Sequence, residues 1–184
     1  METIGVFGAG SLGTLLGARL VRAGHAVHVL ARSAARRDAL KHEAAGAIVE
    51  ERAAGLAPAT VIFLCVKAYD TADAARELAA IGTEAGICSL QNGWGHMETL
   101  EASLPRSPLL AAATALGAYF DEGGALQTST EGLTSVAPWK GTEYRWAEYV
   151  ATLFESAGLR AEVRRDGDTS EACRAKLSPK RRAR

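Results

Sequence analysis

Residues 3–13, Thr3-Ile4-Gly5-Val6-Phe7-Gly8-Ala9-Gly10-Ser11-Leu12-Gly13 (TIGVFGAGSLG), decide how this chain folds. The first five read as a short buried strand, apolar and rich in β-branched side chains. Leu12, Leu15, Leu16 and Leu20 then recur at helical spacing, and Gly24 is a natural C-terminal stop. Between strand and helix lies G-x-G-x-x-G. The chain holds 19 glycines, so the string alone carries little weight. Its placement carries more. At a strand-to-helix turn, glycines let the backbone approach a phosphate closely, and the positive end of the helix favours the anion. Gly8, Ala9, Gly10, Ser11, Leu12 and Gly13 are therefore candidate dinucleotide-binding residues. The competing reading is a turn that serves the fold alone.

Outward from this loop, strand and helix patterns alternate. Ala26-Val27-His28-Val29-Leu30 reads as a second strand, and residues 33–41 as a helix with Ser33 in its N-cap position. Residues 47–49 read as a short third strand. Residues 61–66 (VIFLCV) are apolar throughout, as a central parallel strand covered on both faces must be. Asp70 or Thr71 is placed to cap the following helix; residues 86–90 are a fifth strand, and residues 93–104 a helix closed by Pro105. This alternation predicts an α/β fold, a doubly wound, mostly parallel sheet.

The pattern changes after residue 108. Residues 109–120 form a long apolar run, residues 121–124 (DEGG) a turn, and residues 125–136 a polar β-like stretch. These read as added edge strands, in the manner of a hairpin. Trp146, Tyr149, Val150, Leu153, Phe154 and Ala157 share one face of an amphipathic helix ended by Gly158, and residues 159–163 return as a strand.

Composition narrows the classes. Basic and acidic side chains number 21 each, which gives no general reason to expect nucleic acid or an anionic membrane as partner. Cys65, Cys88 and Cys173 are widely spaced, without a C-x-x-C pair, so neither a disulfide framework nor a metal site is expected, and a reducing, cytoplasmic setting fits. No stretch approaches the roughly 20 apolar residues that span a bilayer.

The second strand ends in Leu30-Ala31-Arg32-Ser33, with Arg36 and Arg37 one turn on. A site for NAD usually carries a carboxylate there, whereas a guanidinium pairs with a 2′-phosphate. The expected cofactor is NADP(H), with Arg32 as its phosphate ligand. Lys67 closes the fourth strand and Asn92 the fifth, both on the carboxyl rim where open α/β sheets bind ligands. A surface lysine and an ordinary Asn-Gly turn are the plainer readings of each.

GAGSLG, VKAYDT and QNGWG, in this order, resemble the ketopantoate reductases, also called 2-dehydropantoate 2-reductases. The resemblance continues through "ESAGL" at residues 155–159 to Asp168 and the Lys176-Leu177 pair. It implies NADPH-dependent reduction of the keto group of ketopantoate to pantoate, a step toward pantothenate and coenzyme A. The partner implied is a small 2-ketoacid; a homodimer is compatible with it. It further implies that Lys67 and Asn92 contact cofactor and substrate near the nicotinamide, and that Lys176 is the catalytic lysine. A lysine suits that role, since an ammonium can stabilise developing alkoxide charge and then donate its proton.

The chain departs from the family near Lys176. Family members carry tryptophan two residues before this lysine and asparagine four after it; here Arg174 and Lys180 stand there. The family continues into an all-helical second domain, whereas this sequence runs into Ser178-Pro179-Lys180-Arg181-Arg182-Ala183-Arg184. The expected organisation is a Rossmann-type NADP-binding domain over residues 1–166. Residues 167–184 are the start of a truncated helical domain with a basic tail. The plainer reading of that tail, Lys176 included, is a solvated basic segment.

Overall fold

The computed structural model describes residues 2–93 and 95–165. Lys176, and with it the expected start of a second domain at residues 167–184, lies outside the described residues. Strand β1 (Thr3–Phe7) leads directly into helix α1 (Ser11–Arg22), and β2 (Ala26–Leu30) follows. Next come α2 (Ala34–Glu43), β3 (Ile48–Glu50) and β4 (Ala59–Leu64), then α3 (Thr71–Ala80), β5 (Gly86–Ser89) and α4 (His96–Ser103). The remainder is β6 (Leu109–Thr114), β7 (Gly117–Phe120), β8 (Leu126–Thr130), β9 (Thr134–Pro138), α5 (Tyr144–Ser156) and β10 (Ala161–Val163).

Among the described residues, eight strands form one sheet in the order β10-β9-β6-β5-β4-β1-β2-β3. Neighbours run parallel except β6 and β9, which pair antiparallel from Leu110 opposite Pro138 to Thr114 opposite Thr134. The chain winds outward from β1 through β2 to β3, then crosses back to start β4 on the other side of β1. This reversal between β1 and β4 is the topological switch point, and it opens a crevice at their carboxyl ends.

Strand alternation sorts the core into two layers. Ile4, Val6, Val29, Val61 and Phe63 face α1 and α5, where Phe63 meets the Phe154 ring edge-on at 5.5 Å. Phe7, Ile62, Leu64 and Ile87 face α3 and α4. Of the predicted α5 face, Val150, Leu153, Phe154 and Ala157 are buried and Trp146 and Tyr149 half-buried, with Ala147 buried beside them.

Four features differ from the sequence reading. The run at 109–120 is not an edge. Its first half, β6, is an interior strand between β5 and β9 and is apolar on both faces, because each face meets a helical layer. The second half leaves the sheet as β7 and pairs with β8 in a separate antiparallel hairpin. Strand β4 ends at Leu64, so Lys67 stands on a loop, ahead of a 3-10 turn at Ala68–Asp70. No side chain caps α3, and the Thr71 hydroxyl instead donates to the Ala68 carbonyl at 2.7 Å. Helix α4 starts at His96 because Gly93 and Gly95, at φ +119° and +79°, hold left-handed conformations that no helix continues.

Candidate functional site

Sterics make the glycine loop. Gly8 has φ +111°, and a side chain on it would meet Val66 Cγ1 at 2.7 Å. A methyl group on Gly13 would run into the Gly8 carbonyl oxygen. Both are glycines because β1, α1 and the loop after β4 converge there. Gly10 is different: a methyl on it would meet nothing within 4 Å, for it faces the crevice. Gly10 also occupies the N-cap of α1, where no side chain caps the helix and no acidic residue sits in the first turn. The positive end of a 12-residue helix thus meets an open space bounded by bare backbone. A pyrophosphate fits that cradle, so the residues present suit a dinucleotide.

Two cavities meet at Gly10, Arg36 and Val66. The smaller, about 240 Å3, runs from the glycine loop to Arg32 and Ser33 at the end of β2. Ser33 caps α2, its hydroxyl accepting from the Arg36 N–H at 3.3 Å. The three arginines separate clearly. Arg37 is spent on structure, donating to the Arg32 carbonyl at 2.6 Å and pairing with Glu51 at 3.4 Å. Arg36 lies over the Phe120 ring, 4.2 Å from its centroid, on the wall of both cavities. Arg32 is half exposed over the Phe7 ring and paired with Glu77 at 2.6 Å. Residues 31–37 contain no carboxylate.

The larger cavity, about 550 Å3, brings Lys67 and Asn92 together as the rim positions implied. Neither side chain makes a hydrogen bond or ion pair with any described residue. Beside them Gln91 is buried and fully engaged. Its Nε2 donates to the Val66 and Lys67 carbonyls, each at 3.1 Å, and its Oε1 accepts from the Ser89 hydroxyl at 3.2 Å. The Thr71 hydroxyl lies 2.8 Å from that Nε2. This polar network replaces the sheet ladder where β4 has ended, and it fixes the backbone that carries Lys67. Cys65 forms part of the cavity wall; burial pushes its thiol up to about 12, so it stays protonated near neutrality.

The opposite wall was not legible as part of a site. Tyr119 and Phe120, at the tip end of β7, line the same cavity. The hairpin is held there by Glu43, whose carboxylate accepts from the Leu126 N–H at 2.9 Å, and by the Arg19–Glu131 ion pair. The one signal in the sequence was an aromatic pair directly before a polar turn. Among the described residues there is no cluster of His, Cys, Asp or Glu that could hold a metal, and no helix is long and apolar enough to cross a membrane.

The comparisons with known proteins bear on this arrangement. The family described as "Ketopantoate reductase PanE/ApbA" matches residues 4–141. The 2-dehydropantoate 2-reductase of Archaeoglobus fulgidus is 34% identical over 180 residues, covering 90% of this chain and 57% of its own length. A crystal structure of a PanE/ApbA family ketopantoate reductase from Ralstonia eutropha JMP134 superposes with a TM-score of 0.80 at 24% identity. It covers 96% of this chain and 60% of the other. A D-mandelate dehydrogenase solved with NADH and anilino(oxo)acetate shares the fold, with a TM-score of 0.75 at 18% identity over 89% of this chain and 57% of its own. This chain therefore spans somewhat over half the length of these relatives. The glycine loop, the Lys67 loop and the hairpin all lie within the matched 4–141 segment, and the chain belongs to the ketopantoate reductase family.

Proposed function

We propose that this chain forms the cofactor-binding half of an NADP(H)-dependent reductase that converts ketopantoate (2-dehydropantoate) to pantoate, in the supply of pantothenate and coenzyme A. One observation carries the reading. The uncapped start of α1 and two uncommitted polar side chains, Lys67 and Asn92, open onto one continuous cavity. The glycine loop would hold the pyrophosphate, and Arg32 would pair with the 2′-phosphate. NADPH, when bound, would supply a hydride to the keto carbon. The Lys67 ammonium and the Asn92 amide orient the ketoacid beside the nicotinamide, with donors aimed at oxygen, where negative charge grows as the carbonyl is reduced. Gln91 positions Lys67 through the backbone. Lys176, carried over from the family pattern, supplies the proton that completes the alcohol.

Two further readings share the same cofactor half. One is a module that binds NADP(H) without turnover. The other is a related dehydrogenase that acts on a different 2-ketoacid or 3-hydroxyacid. One set of measurements separates them. Purified chain is expected to bind NADPH in preference to NADH by calorimetry, and ketopantoate is expected to drive loss of NADPH absorbance. Binding without turnover at high protein concentration leaves the module. Turnover with a different ketoacid alone moves the substrate. Absence of dinucleotide binding rejects all three.

A further inference from the structure

We propose that Glu77 sets how strongly this chain prefers a 2′-phosphorylated dinucleotide, by competing with that phosphate for Arg32. The inference rests on the reading of Arg32 as the phosphate ligand. Arg32 follows β2 and Glu77 belongs to α3, yet Nη2 of one lies 2.6 Å from Oε1 of the other. The guanidinium is thereby drawn over the Phe7 ring, 5.6 Å from its centroid, beside the cavity that Arg32, Ser33 and Gly10 line. Of its neighbours on α2, Arg37 is tied to the Arg32 carbonyl and to Glu51, and Arg36 rests on Phe120.

Structure gives the pair little reason to exist. The two side chains are 55% and 40% exposed, and exposed ion pairs add little to stability. Glu77 has no other side-chain partner among the described residues, for the adjacent Arg76 pairs with Asp73. What the carboxylate does is occupy the one guanidinium at the end of β2 that a 2′-phosphate would use. A phosphate monoester carries about −1.5 to −2 charge at neutral pH, and to pair with Arg32 it must displace Glu77. A dinucleotide without that phosphate does not face this cost. Glu77 therefore narrows the gap between NADPH and NADH.

The test uses the full 184-residue chain as wild type, Glu77→Gln, Arg32→Ala and the double variant. Each is titrated by calorimetry with NADPH, NADH and adenosine 2′,5′-bisphosphate. Glu77→Gln is expected to bind NADPH and the bisphosphate about fivefold more tightly, the release of one exposed pair, with NADH unchanged. In the Arg32→Ala background the same substitution is expected to change nothing. Unchanged or weaker NADPH binding in Glu77→Gln overturns the proposal. So does an equal gain for NADH, or a gain that survives loss of Arg32. A wild-type chain that binds neither dinucleotide overturns this proposal together with the cofactor reading beneath it. Normal NADPH binding with an unmoved NADPH-to-NADH ratio removes the Glu77 role alone.

Discussion

The two ends of the crevice are built from different materials. At the glycine end the surface is backbone, held by contacts so close that Gly8 and Gly13 admit no side chain. At the Lys67 end the surface is side chains, with Lys67 and Asn92 uncommitted among the described residues and Gln91 holding the loop beneath them. A backbone surface can recognise a group that every dinucleotide carries, since a pyrophosphate asks only for N–H donors and a helix end. A side-chain surface can be changed residue by residue, so under the proposed function the choice among ketoacids lies there. The same contrast explains tolerance. The glycine end fails when any atom is added, whereas the other end fails only when a specific group is removed.

The largest effect should come from adding a single carbon at the glycine end. Gly13→Ala forces a methyl against the Gly8 carbonyl and is expected to cost about 3 kcal/mol, lowering Tm by roughly 6–12 °C. Gly10→Ala adds the same carbon to open space. Its Tm should stay within about 2 °C of wild type, while NADPH affinity falls about tenfold or more if the methyl fills the proposed pyrophosphate cradle. Equal Tm losses in the two variants would break the comparison.

At the other end, Gln91→Leu removes the donors to the Val66 and Lys67 carbonyls, and about 1–3 kcal/mol of stability should go with them. Chemical denaturation measures this loss, and a change under about 0.5 kcal/mol would show that the loop stands without the network. Phe120→Ala tests the joint between the two ends, where Arg36 touches both cavities. With the cation–π contact gone, NADPH should bind roughly two- to fivefold more weakly, and Tm should hardly move. An unaffected NADPH affinity would assign Arg36 to the surface.

The smallest effect concerns His96, just beyond Asn92. It is 4% exposed, and neither ring nitrogen has a hydrogen-bond partner among the described residues. Burial holds its pKa below the ordinary value, against the opposing pull of Glu98. The unfolded chain takes up this proton near pH 6.5 and the folded chain resists it, so stability is lost as pH falls below about 6.5. Chemical denaturation of wild type at pH 7.5 and 5.5 should show that loss, and His96→Gln should reduce it. An identical pH dependence in the two would exclude the ring.

Much of this protein is written locally. Residues 3–13 specify strand, loop and helix, because glycine sterics and helical spacing act over a few residues. Ala26–Leu30 matches its predicted bounds for the same reason, and the apolar face of α5 follows from its period. That Arg32, Lys67 and Asn92 lie at the cavities was legible because a parallel sheet gathers the segments after its strands on one rim. Strand order was not. A run such as residues 109–120 looks alike at an edge or in the interior, and only the arrival of β9 beside β6 makes it interior. Nor does anything near Tyr119 and Phe120 say that their hairpin will lean on α1 and Glu43 to wall the cavity. Gln91 under Lys67 and Glu77 across from Arg32 are likewise pairings of distant residues. Local sterics and periodicity therefore determined the elements and the loop. Tertiary packing decided which side chains face one another across the crevice, since those contacts join residues that no short-range pattern relates.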